Sequence, residues 1–359
     1  MILSHNASTA LLGQAFFALW LLVGVAAGAL AGDKPNWEKA SALQAAAQAN
    51  SQLQVQSWQQ QIDAGQAAAV LVELQQSSGS GSPGFEAQLY GLAQTMAEAP
   101  LDATSDRLLA WLENYSPAVL VAHEESASHG VPLFPVAAAA KGSRLERQRR
   151  TAQLRADALV ADPQRWIAHF LAASPVEQQG LQQGLRKANP ATLAPLARML
   201  PGELAGHAEL AMPTGIVASI LADTALFTSA LQHSQGADTV QILREANWRL
   251  DMAQRIQLFH TVLALPQPGH RALGVSMLAP GLHSNPAVST QLLEMLDDED
   301  LGAAAALALA GHPDSQVQAS LRQKLQEGGR GAQRASLAQG LPLGLPANDT
   351  LKQADGDPQ

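Results

Sequence analysis

The 359-residue sequence contains no cysteine. That absence removes disulfide staples, thiol nucleophiles, iron–sulfur clusters and cysteine-ligated zinc from the possible chemistries. Aromatic residues are scarce as well, at 4% of the chain. Alanine and leucine dominate where valine and isoleucine would in a sheet protein, which is a helix-former's composition. Positive charge is in deficit, since 22 Lys and Arg face 31 Asp and Glu for a net charge of −9. That sign is wrong for neutralising phosphates, so nucleic acid is not an expected partner. No stretch alternates polar and apolar residues with a period of two, so the chain reads as all-α. Neither G-x-S-x-G nor S-x-x-K occurs, and no pair of carboxylates stands out at catalytic separation. No catalytic residue and no cofactor is assigned.

What the sequence does have begins at its amino terminus. From Ala10 to Ala31 (ALLGQAFFALWLLVGVAAGALA) only Gln14 is strongly polar, and a helix of this length spans a hydrocarbon core of roughly 30 Å. The segment ends in Ala29-Leu30-Ala31, the small-x-small pattern of a signal-peptidase site, with Gly32 as the first mature residue. The preceding MILSHNAST carries no Lys or Arg, so the usual basic flank is missing. Residues 1–32 are therefore expected to act as a signal peptide or, uncleaved, as a membrane anchor through residues 10–31. Either outcome places the bulk of the chain in the periplasm, free or held at the inner membrane.

Residues 33–76 are Gln/Ala-rich and helical, with Trp37, Leu43, Leu53, Val55 and Trp58 as sparse apolar contacts. The stretch SSGSGSPG (77–84) has the composition of a linker. It satisfies G-x-G-x-x-G, but Gln75 to Ser78 separate it from the only strand-like run before it, so a dinucleotide site is not expected. Residues 85–140 form a helical subdomain with amphipathic segments near 85–98, 103–114 and 116–126. The basic KGSRLERQRR (141–150) opens a longer helical domain, 141–341, whose helices begin at prolines such as Pro163, Pro175, Pro190 and Pro286. The Pro/Gly-rich tail, 342–359, is expected to be disordered.

An internal repeat lies within the last domain. A shift of 29 residues sets LLEMLDDEDLGAAAALALAG (292–311) over LRQKLQEGGRGAQRASLAQG (321–340). It matches Leu292 with Leu321, Leu296 with Leu325, Gly302 with Gly331, Ala303 with Ala332, Ala306 with Ala335 and Gly311 with Gly340. In the first copy Asn285 caps a helix, Pro286 takes its first position and Val288, Leu292 and Leu296 form one stripe. Asp297, Asp298 and Asp300 then meet the start of the next helix, whose Ala303, Ala306 and Ala310 offer a small-residue face. Each helix pair has too little apolar face to bury alone, so stacking must supply the rest. Leu293, Leu296, Asp298, Leu301, Ala305, Ala308, Leu309 and Ala310 resemble the short, roughly 30-residue form of the HEAT repeat over about 260–340. That resemblance implies a right-handed α-solenoid of the HEAT/armadillo kind, built of stacked helix pairs, that binds another protein.

Two clusters are candidate sites. HEESASH (123–129) brings His123, Glu124, Glu125 and His129 together as weak metal candidates, although a spacing of six puts the two imidazoles on opposite sides of a helix. Arg144, Arg147, Arg149 and Arg150 could meet an acidic partner or an anionic surface, with Glu146 partly neutralising them. The expected function is a non-catalytic protein-binding or scaffolding solenoid of the bacterial cell envelope. The alternative is an envelope enzyme or enzyme subunit with a metal or hydrolytic site near His123–His129.

Overall fold

The computed structural model describes residues 34–49, 51–77 and 81–340, apart from the side chains of Ala127 and Asp157. The signal or anchor segment with Ala29, Ala31 and Gly32, and the tail 342–359, lie outside the described residues. Among the described residues no helix is long and apolar enough to cross a membrane. Among the described residues the regular structure is helical except for one β-hairpin, and the chain divides into two compact units, Met1–Thr151 and Ala152–Gln359.

In the first unit α1 (Lys39–Gln48), α2 (Ser51–Asp63), α3 (Ala67–Ser77), α4 (Pro83–Thr95) and α5 (Ala103–Glu113) precede β1 (Leu120–His123) and β2 (Ser126–Pro132). α4 packs on α1 and α2, and α5 on α3. Trp58, Ile62, Leu74, Leu89, Leu92 and Leu108 lie in the resulting core. Of the sparse apolar residues expected to anchor 37–61, only Trp58 is buried; Leu43 and Leu53 are exposed, and the small Ala42 and Ala46 face inward instead. The presumed linker contributes structure at its end. Ser82 caps α4, Pro83 opens it, and Gly84 is buried because a Cβ there would stand 2.5 Å from that of Ala49.

The expected helix over 116–126 is replaced by the antiparallel β1–β2 pair. The reason is the buried Glu86 at the start of α4. Its Oε1 accepts from the backbone N–H groups of Ala118 and Val119 and from the Tyr115 hydroxyl, so 115–119 runs extended. Burial pushes the Glu86 carboxyl up, and the same burial together with Glu86 raises the Tyr115 phenol. On the other edge of β1, the backbone N–H groups of Asn36 and Trp37 donate to the Leu120 carbonyl, each at 3.1 Å. The Asn36 side chain completes the link, accepting from Leu120 N–H at 2.9 Å and donating to Ala118 O at 2.7 Å.

α6 (Val136–Val160) begins ahead of the basic stretch and carries the chain across the division at 151/152. The second unit continues with α7 (Pro163–Ala172), α8 (Pro175–Lys187), α9 (Pro190–Glu203), α10 (Ala211–Leu221), α11 (Thr224–His233) and α12 (Gly236–Arg249). Then come α13 (Met252–Leu263), α14 (Pro268–Leu278), α15 (Pro286–Met295), α16 (Gly302–Leu309), α17 (Ser315–Glu327) and α18 (Gly329–Ala338). Caps fix most starts: Asp162, Ser174, Asn189, Asp223, Asp251, Asn285 and Asp314 each accept a backbone N–H of the following turn.

Helices pair in sequence, α7 with α8 through α17 with α18, and α10 also packs on α11. The even-numbered helices contact one another in an unbroken series, α8–α10–α12–α14–α16–α18. The odd series α7–α9–α11–α13 is followed by the 3-10 turn Ala279–Leu282, which touches both α13 and α15, and then by α15–α17. Some pairs of the 29-residue shift share an environment, while Leu296 is buried and Leu325 only partly so. Leu292 and Leu321 are buried, Ala306 and Ala335 are buried, and Gly311 and Gly340 end their helices at φ +68° and +69°.

The small-residue face of α16 is not the expected one. Gly302, Ala305, Ala306 and Leu309 face inward, while Ala303 and Ala310 lie on the solvent side with Leu307. The cause is Gly302, whose missing Cβ leaves room for the Arg334 guanidinium of α18. That group donates to the carbonyls of Leu296 and Asp298, drawing α18 in on this side. Outward, α17 ends the series with exposed Gln316, Ala319, Arg322, Gln323 and Gln326.

Close approach at glycine predicts a specific sensitivity. A Cβ at Gly184 of α8 would collide with Ala156 of α6. Gly184→Ala is expected to destabilise the protein by about 1–3 kcal/mol in chemical denaturation, although alanine is the better helix former by about 1 kcal/mol.

Candidate functional site

The His123–His129 cluster occupies the tip of the β-hairpin. The His123 Nδ1 accepts the Glu125 backbone N–H at 3.2 Å. His129 Nδ1 lies 2.7 Å from Ser126 Oγ and 3.2 Å from Ser128 Oγ, and Glu124 pairs with Lys39 at 3.3 Å. His123, His129 and Glu124 thus each have a local partner. Among the described residues no group of three or more His, Asp or Glu side chains could hold a metal ion. The Ser126–His129 contact puts a hydroxyl on an imidazole, but His129 is exposed on β2.

The basic stretch has internal employment. Arg144, Arg147 and Arg150 are three residues apart on α6; Arg147 and Arg150 reach the connection between α4 and α5, and Arg144 the end of α5. Arg147, 4% exposed, donates to Ala99 O at 2.8 Å, to Pro100 O at 2.9 Å and to Asp106 Oδ1 at 2.9 Å. Arg150 reaches Ala97 O and Ala99 O at 2.8 and 2.6 Å, and Arg144 pairs with Glu113 at 2.5 Å. Glu113 beside it raises the Arg144 guanidinium above its ordinary range. Arg149 folds onto Glu146 of its own helix. All four cations therefore meet carbonyls or carboxylates of their own unit.

The acidic loop 297–300 is bound from both neighbouring helix pairs. Asp300 pairs with Arg271 of α14 at 3.0 Å, Asp297 with Lys324 of α17 at 2.5 Å and Glu299 with Arg330 of α18 at 3.4 Å. Asp298 instead accepts the N–H groups of Asp300 and Leu301, at 2.9 and 2.8 Å, ahead of α16. Near the helix starts of the odd series, His283 and His312 stand 29 residues apart and their rings meet at 4.3 Å. His312 is buried. Its Nδ1 accepts the Asp314 N–H at 3.1 Å, so its Nε2 carries the proton toward Ser289 Oγ at 2.9 Å. His283 Nε2 donates to Ala308 O at 2.6 Å.

The opposite ends of the even helices carry a different feature. Trp248, Met277, Leu307 and Leu337 stand in the last turns of α12, α14, α16 and α18, at intervals of 29, 30 and 30 residues. Trp248 is 84% exposed, Leu307 69% and Leu337 47%, with Met277 half-buried between them. These four helices contact in series, and the four side chains in their last turns make up an apolar ladder, one rung to a helix. Exposed Ala303 and Ala310 widen it on α16. Beside Trp248, Arg244 and Arg249 are exposed and form no ion pair among the described residues. The ladder stops at α12, since α10 is buried from Ala211 to Ser219. Sequence reasoning missed it because the rungs are three residue types, and only their common place before each helix end would have aligned them.

No family model, no curated protein and no solved structure matches this sequence.

Two predictions follow from the bonded clusters. Arg147→Ala takes the donor from Pro100 O and the partner from Asp106, and should lower the stability of the first unit by about 1–3 kcal/mol, whereas Arg149→Ala should leave the melting curve within experimental scatter. Burial, and then His283 beside it, hold the His312 imidazole below its ordinary value of 6.5. The folded chain therefore takes up this proton at lower pH than the unfolded chain. The stabilisation is complete above about pH 6.5 and is lost as pH falls through the depressed value. Melting between pH 7.5 and 5.5 should drop by a few degrees, and by less in His312→Gln.

Proposed function

We propose that the second unit is a right-handed α-solenoid of short HEAT-like repeats, and that the protein is a non-catalytic binding or scaffolding component. The observation that carries this reading is the unbroken even-helix series, whose last four helices each carry one apolar side chain open to water in the last turn, exposed in Trp248, Leu307 and Leu337 and partly so in Met277. The even helices approach through glycines such as Gly215, where a Cβ would meet Ile242, and Gly302. The odd series is opened by the turn Ala279–Leu282 between α13 and α15. A two-layer stack that is shorter in one layer bends toward it, so the even layer lines the groove and the ladder lies where a partner chain would run. Large exposed apolar patches on a folded surface favour association, and Trp flanked by Arg is the composition of binding hot spots. The apolar segment 10–31 supports placement in the bacterial envelope, with a protein partner met in the periplasm or at the inner membrane.

The test pairs topology with partner capture. A reporter active only outside the cytoplasm, fused after Gln359, should be active in cells. Partners recovered by crosslinking and pull-down should fall at least tenfold for Trp248→Asp/Leu307→Asp, two exposed positions whose replacement leaves the helical signal unchanged. An inactive reporter removes the envelope placement, and undiminished capture by the double variant removes the groove.

A further inference from the structure

The apolar ladder runs into a basic neighbourhood. The last turns of α14, α16 and α18 carry no charged residue, whereas Arg244 and Arg249 stand on either side of Trp248 near the end of α12, and Arg186 and Lys187 end α8. We propose that the even-helix face takes an extended segment of a partner protein, apolar where it crosses Leu337, Leu307 and Met277 and acidic where it passes Trp248 toward α8. This inference rests on the reading of the even layer as the binding face and names the chemistry that face selects.

Charge without a counterpart is the first argument. Among the described residues Lys187, Arg244 and Arg249 are exposed and pair with no carboxylate. The carboxylates nearest Arg244 and Arg249 in sequence are engaged elsewhere. Glu245 accepts from the Ser219 hydroxyl of α10 at 3.1 Å and pairs with Arg186 at 3.6 Å, and Asp251 caps α13 by accepting the Gln254 N–H at 2.8 Å. Arg255 of α13 adds a further cation at the same place: its Nη1 donates to Asn247 Oδ1 of α12 at 3.3 Å, and its Nε is buried without a partner. A cation in a last turn meets the negative end of its helix dipole, which accounts for Lys187 and Arg249. It does not account for Arg244, which stands more than one turn before the end of α12 and, four residues ahead of Trp248, on the same face as the indole.

Order along the series is the second argument. Arg186 of α8 reaches over α10 to Glu245 of α12, so the ends of these helices lie on one side of the stack. The series from α8 to α18 therefore passes from cations, through Trp248, to uncharged apolar rungs. A bilayer would favour cations spread along the whole apolar row, to meet headgroups wherever the rungs enter. Cations gathered at one end suit a single chain whose own charge is gathered at one end. Packed helices lie about 8–10 Å apart and an extended chain advances about 3.3 Å per residue, so about three partner residues span one helix. The apolar part of the segment then needs about nine residues from α18 to α12, and the acidic part about six more to α8.

The test selects binders to the full-length protein from a random fifteen-residue peptide library displayed on phage. Enriched peptides should carry Asp or Glu clustered at one end and apolar residues toward the other. Their affinity should fall at least tenfold on Arg244→Glu and less than twofold on Arg322→Glu, the same change in net charge at an exposed position of α17. Replacing their carboxylates by lysine should abolish binding to the natural chain and restore it to Arg244→Glu/Arg249→Glu. Enrichment without an acidic bias overturns the proposal, as do acidic peptides that lose nothing on Arg244→Glu. It is also overturned if no peptide is enriched while vesicles containing anionic phospholipid bind in an Arg244-dependent way, which would make a membrane the occupant. Peptides without acidic bias that are nevertheless lost on Trp248→Asp/Leu307→Asp would leave the binding face standing and remove only its charge preference.

Discussion

The second unit depends on how closely its even-numbered helices can approach. No helix pair there has enough apolar surface to sustain itself: α16 is eight residues of glycine, alanine and leucine, and its buried face is complete only between α14 and α18. Glycine and alanine at the contact remove the side-chain bulk that would hold the helices apart. The cost of those small residues is a thin core per repeat, which each neighbour must make up. Cooperativity is therefore built in along the series, and damage at one contact should spread to the repeats on either side.

Polar groups then fix the register that apolar packing leaves loose. Leucine on alanine can slide, but the Arg334 guanidinium on the carbonyls of Leu296 and Asp298 cannot move by a residue without leaving them unpaired. Asp297, Glu299 and Asp300 play the same part through exposed ion pairs, each worth at most about 1 kcal/mol. Arg147 does the corresponding work in the first unit, tying α6 to the α4–α5 connection. A basic stretch that looks in sequence like a surface for an acidic partner is in large part a set of internal ties.

What could be read from the sequence depended on how much local chemistry marked each position. The stretch 285–296 was legible because Asn285, Pro286 and the stripe Val288–Leu292–Leu296 each point to the same helix and the same face. α16 was legible as a helix but not in orientation, since a run without polar residues does not say which side meets water. The fold around 116–132 was hidden for another reason. Its extended course is imposed by Glu86, some thirty residues earlier, and by Asn36, still further away. The ladder was hidden because exposure is a property of the stack, so Trp248 and Leu307 look like ordinary core residues until neighbouring helices are in place.

The outward side of α17, with Gln316, Arg322, Gln323 and Gln326, has a further consequence. A repeat array whose last unit offered the same alanine–leucine surface as its interior would accept the first unit of another molecule and grow into a filament. Hydrated amides and a guanidinium at that boundary make the next addition unfavourable. That side of α17 is thus one that a further apolar helix face would cover only by stripping water from amides and a guanidinium.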